Sequence, residues 1–259
     1  MILFLYLVYL LLPMALLFLG SFGEKWTNTL LPQGFTFHWY MDVAIDPSFQ
    51  RAFFVSLLVA LLTCAIVVLI GVPMAYGMER GKFKRTQFFT RLLQLMPIAA
   101  PPMVVAFGYI ILFSSDAFPY LGTTWLLILG HVVSTLPYMV QTLIGDIRHL
   151  GLVQLEQAAD SLGASFRQRF LHVVVPTLRH SILSGLFTVG ALSIGEFQLS
   201  NLIAGFLNRT YPIVLLQSFY NASGFACSAT VVLLLLSTVA SLLGTGAPTG
   251  TFTERKKAL

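Results

Sequence analysis

Long apolar stretches alternate with short polar segments along most of the chain. Six of these stretches approach the roughly 20 apolar residues a helix needs to cross a bilayer. They are 1–20, 53–78, 92–115, 125–145, 182–204 and 226–244. None alternates apolar and polar residues strictly, and each far exceeds the ~10 residues of a barrel strand. The pattern therefore predicts an all-α, polytopic membrane protein with six transmembrane helices in one domain over 1–259. No Lys or Arg precedes Lys25 in the first stretch. A cleaved signal peptide needs a positive leader and a short apolar core, so 1–20 reads as a retained span.

Composition narrows the class further. Hydrophobic residues make up 57% of the 259 and charged residues only 10%, against ~25% charged in ordinary soluble domains. Disorder, nucleic-acid binding as the main activity and most soluble enzyme folds are excluded. The two cysteines, Cys64 and Cys227, fall in apolar runs and read as small buried hydrophobes, forming neither a disulfide framework nor a metal site. Two N-x-S/T triplets, at Asn208 and Asn221, are short enough to arise by chance.

The net charge of +5 becomes informative once each basic residue is placed. Arg80, Lys82, Lys84, Arg85 and Arg91 lie between the second and third stretches, Arg148, Arg167, Arg169 and Arg179 between the fourth and fifth, and Arg255, Lys256 and Lys257 in the tail. Twelve of the fifteen basic residues thus fall on one side, which the positive-inside rule makes cytoplasmic, along with both termini. Lys25, Arg51 and Arg209 fall on the other. The expected location is a bacterial-type plasma membrane, with an extracytoplasmic loop at 21–52 and a cytoplasmic loop at 146–181.

That cytoplasmic loop is far longer than the 2–8 residues that join neighbouring helices in bundles. Within it, Val153, Leu155, Ala158, Ala159 and Leu162 recur at helical spacing, and Gly163 follows where a left-handed residue would end the helix. Ser165 and Gln168 form a capping-box pattern that opens a second amphipathic helix over 166–174, with Phe166, Phe170, Val173 and Val174 on one face and Pro176 expected to close it. The loop is a predicted helix–turn–helix on the cytoplasmic surface.

These residues resemble the signature of the permease subunits of binding-protein-dependent ABC importers: Glu-Ala-Ala, three residues, Gly, then a hydrophobic stretch ending in Pro. Here it reads Glu156, Gln157, Ala158, Ala159, Gly163 and Pro176, with thirteen residues from Gly to Pro. Gln157 stands directly before the alanines where the family carries Glu, and Glu156 lies one residue earlier. The six-span layout extends the likeness over most of the chain. The resemblance implies that this element docks on a cytoplasmic ATPase, with Phe166 as an apolar anchor and Arg167 and Arg169 at the rim. It also implies a dimer of ATP-binding subunits, a second permease copy or paralogue, and an extracytoplasmic solute-binding protein. No GxxxxGK[ST] occurs in the chain, so ATP would be bound by the partner and this chain would be a transport subunit, not an enzyme, with no cofactor of its own.

Glu196 is the one acidic residue well inside a predicted span, and an ionised carboxylate in hydrocarbon must face protein or water. On one continuous helix Ser193, Glu196 and Ser200 would share a face, as a lining of the translocation pathway. The alternative is a structural hydrogen bond between permease subunits, or a protonated Glu196 paired to His131. His131 and Gln141 in span four are further polar candidates, and Pro97, Pro101 and Pro102 predict a kinked or unwound span three. Ala191-Leu-Ser193-Ile-Gly195 falls one glycine short of a serine-protease GxSxG, and a channel or secondary transporter would leave the helix–turn–helix unexplained. The chain looks most like the branch serving polyamines, phosphonates, iron or thiamine and small oxyanions.

Overall fold

The computed structural model describes residues 2–26, 29, 31–81, 88, 90, 92, 93, 95, 96, 100–116, 118–220 and 223–245. The charges at Lys82, Lys84, Arg85, Arg91 and 255–257, together with Pro97 and Asn221, lie outside them. Among the described residues the chain runs through α1 (Ile2–Ser21), α2 (His38–Ile45), α3 (Pro47–Arg80), α4 (Pro102–Phe113), α5 (Thr124–His149) and α6 (Leu152–Ser161). It continues through α7 (Phe166–Thr177), α8 (Arg179–Ile194), α9 (Gln198–Ile203), α10 (Tyr211–Ser218) and α11 (Ser223–Thr245). Three of these, α1, α3 and α5, are long and apolar enough to cross a membrane, and α7 with α8 passes as one element bent by 63°. The apolar stretches Pro102–Phe113 of α4 and Ser223–Val239 of α11 are shorter.

The core forms where α3, α5 and α8 pack together. Met139 on α5 is fully buried and sits in notches left by glycines on both neighbours. A Cβ on Gly71 of α3 would lie 3.1 Å from Met139 Cγ, and one on Gly185 of α8 would lie 2.3 Å from its Sδ. Small residues that let helices approach this closely are a main source of helix association where lipid removes the hydrophobic drive. Val59, Val67, Leu127, Leu143, Ile147 and Val189 fill the same cluster. A second cluster joins Phe49 and Ala52 of α3 to Tyr211 and Val214 of α10 and Ala229 of α11. By contrast, α1 presents most of its length outward and packs along α11, as a lipid-facing helix would.

Three sequence-based boundaries need correction. The 21–52 segment is not all loop: it contains α2, and α3 starts at Pro47. Asp46 caps α3 by accepting hydrogen bonds from the backbone N–H groups of Ser48 (2.8 Å) and Phe49 (3.0 Å), and Pro47, lacking an N–H, suits the first turn. In 92–115, where an unwound segment is expected, Pro101 is extended (ψ 140°) just ahead of α4, while 97–99 lie outside the described residues. Residues 182–204 are two helices, separated at Gly195–Phe197. Pro176 does not close the second helix of the 146–181 segment: a π turn at Phe170–Val174 widens the backbone ahead of the proline, and α7 continues to Thr177. The bend falls at Leu178 (φ −87°, ψ 4°), whose N–H donates to the carbonyl of Val174 (3.0 Å).

The chain before α5 is stapled to the chain after α9. Gly122 (φ +81°) donates its N–H to the carbonyl of Ile203 (3.1 Å), and its own carbonyl accepts from Asn208 Nδ2 (2.8 Å). Thr124 Oγ1 donates to Asn208 Oδ1 (2.9 Å). A Cβ on Gly205 would lie 2.4 Å from the Gly122 oxygen, a backbone contact that no side-chain rotation relieves. Gly205→Ala should therefore destabilise the protein by about 1–3 kcal/mol. Gly145→Ala, whose Cβ meets nothing within 4 Å, should not. Thermal unfolding of the purified variants in detergent reads the difference, and equal midpoints would contradict the staple.

Candidate functional site

The pair formed by α6 and α7 is built by local rules. α6 ends in a Schellman arrangement, in which Gly163 (φ +80°) donates its N–H to the carbonyl of Asp160 (2.9 Å) and Ala164 donates to Ala159 (3.1 Å). Ser165 then opens α7 with a complete capping box: its Oγ accepts from the Gln168 N–H, and Gln168 Oε1 accepts from the Ser165 N–H (2.8 Å). The pair thus has two distinct faces.

The inner face carries a buried carboxylate. Glu156 is 3% exposed and accepts a 2.5 Å hydrogen bond from the Tyr76 hydroxyl near the end of α3. Arg80 Nη1 lies 3.1 Å from the same carboxylate oxygen and donates to the Tyr76 hydroxyl (2.8 Å). Arg169 of α7 brings Nε within 3.6 Å of Glu156 and pairs through Nη1 with Asp160. Burying a carboxylate is tolerable only with such partners. Tyr76 also meets Phe170 edge-on (5.4 Å between ring centroids), and Phe170 stacks on Phe166. Nearby, Arg148 Nη2 pairs with Glu79 (2.9 Å), joining the ends of α5 and α3.

The outer face is open. Gln157, Ala158 and Gly163 are exposed, Ala159 is half-buried, Leu162 is 89% exposed and Phe166 57%. Pro176 is exposed farther along α7. Of the residues picked from the signature, Glu156 therefore turns inward, while Gln157, at the position where the family carries the charge, turns outward.

The second polar cluster sits at the break between α8 and α9. Glu196 accepts from the N–H groups of Leu199 (2.7 Å) and Ser200 (2.8 Å) and from the Ser200 hydroxyl (2.6 Å), satisfying the orphan donors at the start of α9. His131 of α5, 1% exposed, bridges Ser193 of α8 through Nδ1 (2.7 Å) and Ser200 of α9 through Nε2 (2.9 Å). With the Ser200 proton given to Glu196, a neutral imidazole is assigned the tautomer that donates from Nε2 to Ser200 and accepts at Nδ1 from Ser193. Ser193, Glu196 and Ser200 thus do meet, not along one helix face but around His131. Gln141 is half-buried on α5. Among the described residues, no three His, Cys, Asp or Glu side chains are grouped as metal ligands.

Sequence reasoning missed Tyr76, Arg80 and Asp160 as members of the inner network, and Arg169, expected at the rim, instead turns inward to Glu156 and Asp160 with its side chain 12% exposed. The one available signal was Tyr76 and Arg80 at i, i+4, an aromatic and a cation on one helix face where α3 leaves the apolar run.

Comparison with known proteins agrees with this architecture. Residues 67–245 match the model of the "Binding-protein-dependent transport system inner membrane component" family. The chain is 26% identical over 233 residues to PhnV of Salmonella typhimurium, provisionally named a 2-aminoethylphosphonate transport system permease protein, covering 90% of this chain and 86% of that one. It is 27% identical over 249 residues to the sulfate transport system permease protein CysW of Escherichia coli, covering 89% and 80%. A crystal structure of a bacterial ABC transporter involved in import of the acidic polysaccharide alginate shares the fold, with a TM-score of 0.65 at 14% identity over 97% of this chain and 94% of that one. An amino acid ABC transporter structure gives 0.59 at 18% identity, covering 80% and 95%.

The His131 bridge makes a stability prediction. His131→Leu keeps the bulk but strips Ser193 of its partner and Ser200 of one, and should cost about 1–3 kcal/mol. His131→Gln, with a donor and an acceptor, should recover part of the loss. Thermal unfolding midpoints in detergent test this, and a Leu variant as stable as the parent would rule the bridge out as a support of the broken segment.

Proposed function

Because the chain belongs to the inner-membrane-component family of binding-protein-dependent transport systems, we propose that it lines half of a solute pathway and couples it to a separate cytoplasmic ATPase. The observation that carries this reading is the two-faced helix pair. Its inner face is tied to the bundle, while its outer face leaves Leu162, Phe166, Ala158 and the Gly163 turn free for a partner. An exposed aromatic beside small residues suits an anchor entering a groove on another subunit. The residues assigned to this contact are Gln157, Ala158, Ala159, Gly163, Phe166 and, farther along α7, Pro176, with Glu156 behind them.

In this reading six spans place both termini and the helix pair on the cytoplasmic side of the plasma membrane. A second permease subunit completes the pathway, a dimer of ATP-binding subunits supplies the energy, and an extracytoplasmic binding protein delivers the solute. Ser193, Glu196 and Ser200 border the pathway at the break in span five. There Glu196 anchors the start of α9, since both its oxygens are engaged by Leu199 and Ser200. Relatives named for 2-aminoethylphosphonate and sulfate favour a small oxyanion as the solute.

Gly163→Asp tests the docking contact. A Cβ there meets nothing within 4 Å, so the substitution costs only left-handed backbone strain, of order 1 kcal/mol, while placing a charge on the outer face. The variant should insert into the membrane normally but lose co-purification of the ATPase subunit in gentle detergent. Gly163→Ala should keep most of it. Undiminished co-purification with the Asp variant would refute the assignment.

A further inference from the structure

Resting on the coupling role just proposed, we infer that Glu156 is a positioning residue that clamps the helix pair to the inner end of α3. Movement imposed on the pair is then delivered to span two through side chains, besides the covalent links to α5 and α8. Three observations converge on it. The Glu156 carboxylate is 3% exposed and faces away from the outer surface, so it is not available to a docked partner. Its donors come from a different span, Tyr76 at 2.5 Å and Arg80 Nη1 at 3.1 Å, eighty and seventy-six residues away in sequence. The Phe166–Phe170–Tyr76 rings continue the contact from α7 onto the same turn of α3.

The charge and the geometry make the clamp stiff. Charge-assisted hydrogen bonds are short and directional, and a low-dielectric setting strengthens them. Tyr76 is itself oriented by Arg80, whose guanidinium donates to its hydroxyl (2.8 Å) and lies 5.4 Å from its ring centroid. On the loop side Arg169 pairs with Asp160 and approaches Glu156, so α6 and α7 move together. One carboxylate therefore joins three helices, and separating α6 from α3 would strand it.

The test measures whether α3 and the helix pair move as one body. Nitroxide labels are placed at Leu61→Cys on α3 and Leu171→Cys on α7, both exposed, in a Cys64→Ala/Cys227→Ala background. The complex with its ATPase is reconstituted in lipid, and the label–label distance is read by pulsed EPR without nucleotide and after trapping with ATP and vanadate. The parent should give the same distance distribution in both states. Glu156→Ala and, more mildly, Tyr76→Phe, which keeps the ring contacts, should give a distribution that shifts or broadens on trapping. Glu156→Gln, which still accepts from Tyr76 but loses the charge, should fall between. A parent distance that changes on trapping, or variants that behave like the parent, would overturn the clamp. Absence of a co-purifying ATPase with the parent would instead overturn the coupling role itself, so the two failures are distinguishable.

Discussion

Met139 is held between two missing side chains. The notches at Gly71 and Gly185 let α3, α5 and α8 approach around a fully buried thioether, and this contact fixes the axial register of three helices at once. Both polar clusters depend on that register. Tyr76 lies about one and a half turns beyond Gly71 on α3, and Ser193 just over two turns beyond Gly185 on α8. A shift of one turn in either helix, about 5.4 Å, would carry the Tyr76 hydroxyl away from Glu156 or the Ser193 hydroxyl away from His131. Close packing of small residues, not polar attraction, therefore sets where the polar groups can meet.

The two inward carboxylates show one physical constraint met in two ways. Glu156 is paired with one cation and a phenol from α3, which makes it a tie between elements. Glu196 is satisfied within its own segment by backbone donors, which makes it the cause of a local helix start. Both avoid the cost of an unpaired buried charge, but only the first connects the α6–α7 pair to the bundle. His131 then bridges the two halves of the interrupted segment, so the break at Gly195–Phe197 is supported from the side by α5.

The same reasoning explains the shape of α7. A proline in a regular helix removes a hydrogen bond and crowds the preceding turn. The π turn at Phe170–Val174 widens the backbone just there, and the chain bends only at Leu178. Phe166 and Phe170 thereby stay on one side of a continuous element, with Phe170 against Tyr76 and Phe166 half-open.

Much of this was legible in the sequence, because short-range rules are written in short-range patterns. Apolar run lengths located α1, α3 and α5, Gly163 and the Ser165–Gln168 pair placed the turn and the cap, and the residue spacing of the loop marked the family. Asp46-Pro47 was an equally local start signal that went unread. What remained hidden depends on partners distant in sequence. Nothing near Glu156 says that its charge is taken up by Tyr76 and Arg80, and a helical wheel could only place Ser193, Glu196 and Ser200 on one face of a helix that is in fact broken. Sequence by itself determined the class, the apolar segments and the local turns, since each follows from the residues within one or two helical turns. Only the tertiary structure decided which face of the loop is buried and where each carboxylate finds its donors, because those depend on the register that close-packed helices impose on residues far apart in the chain.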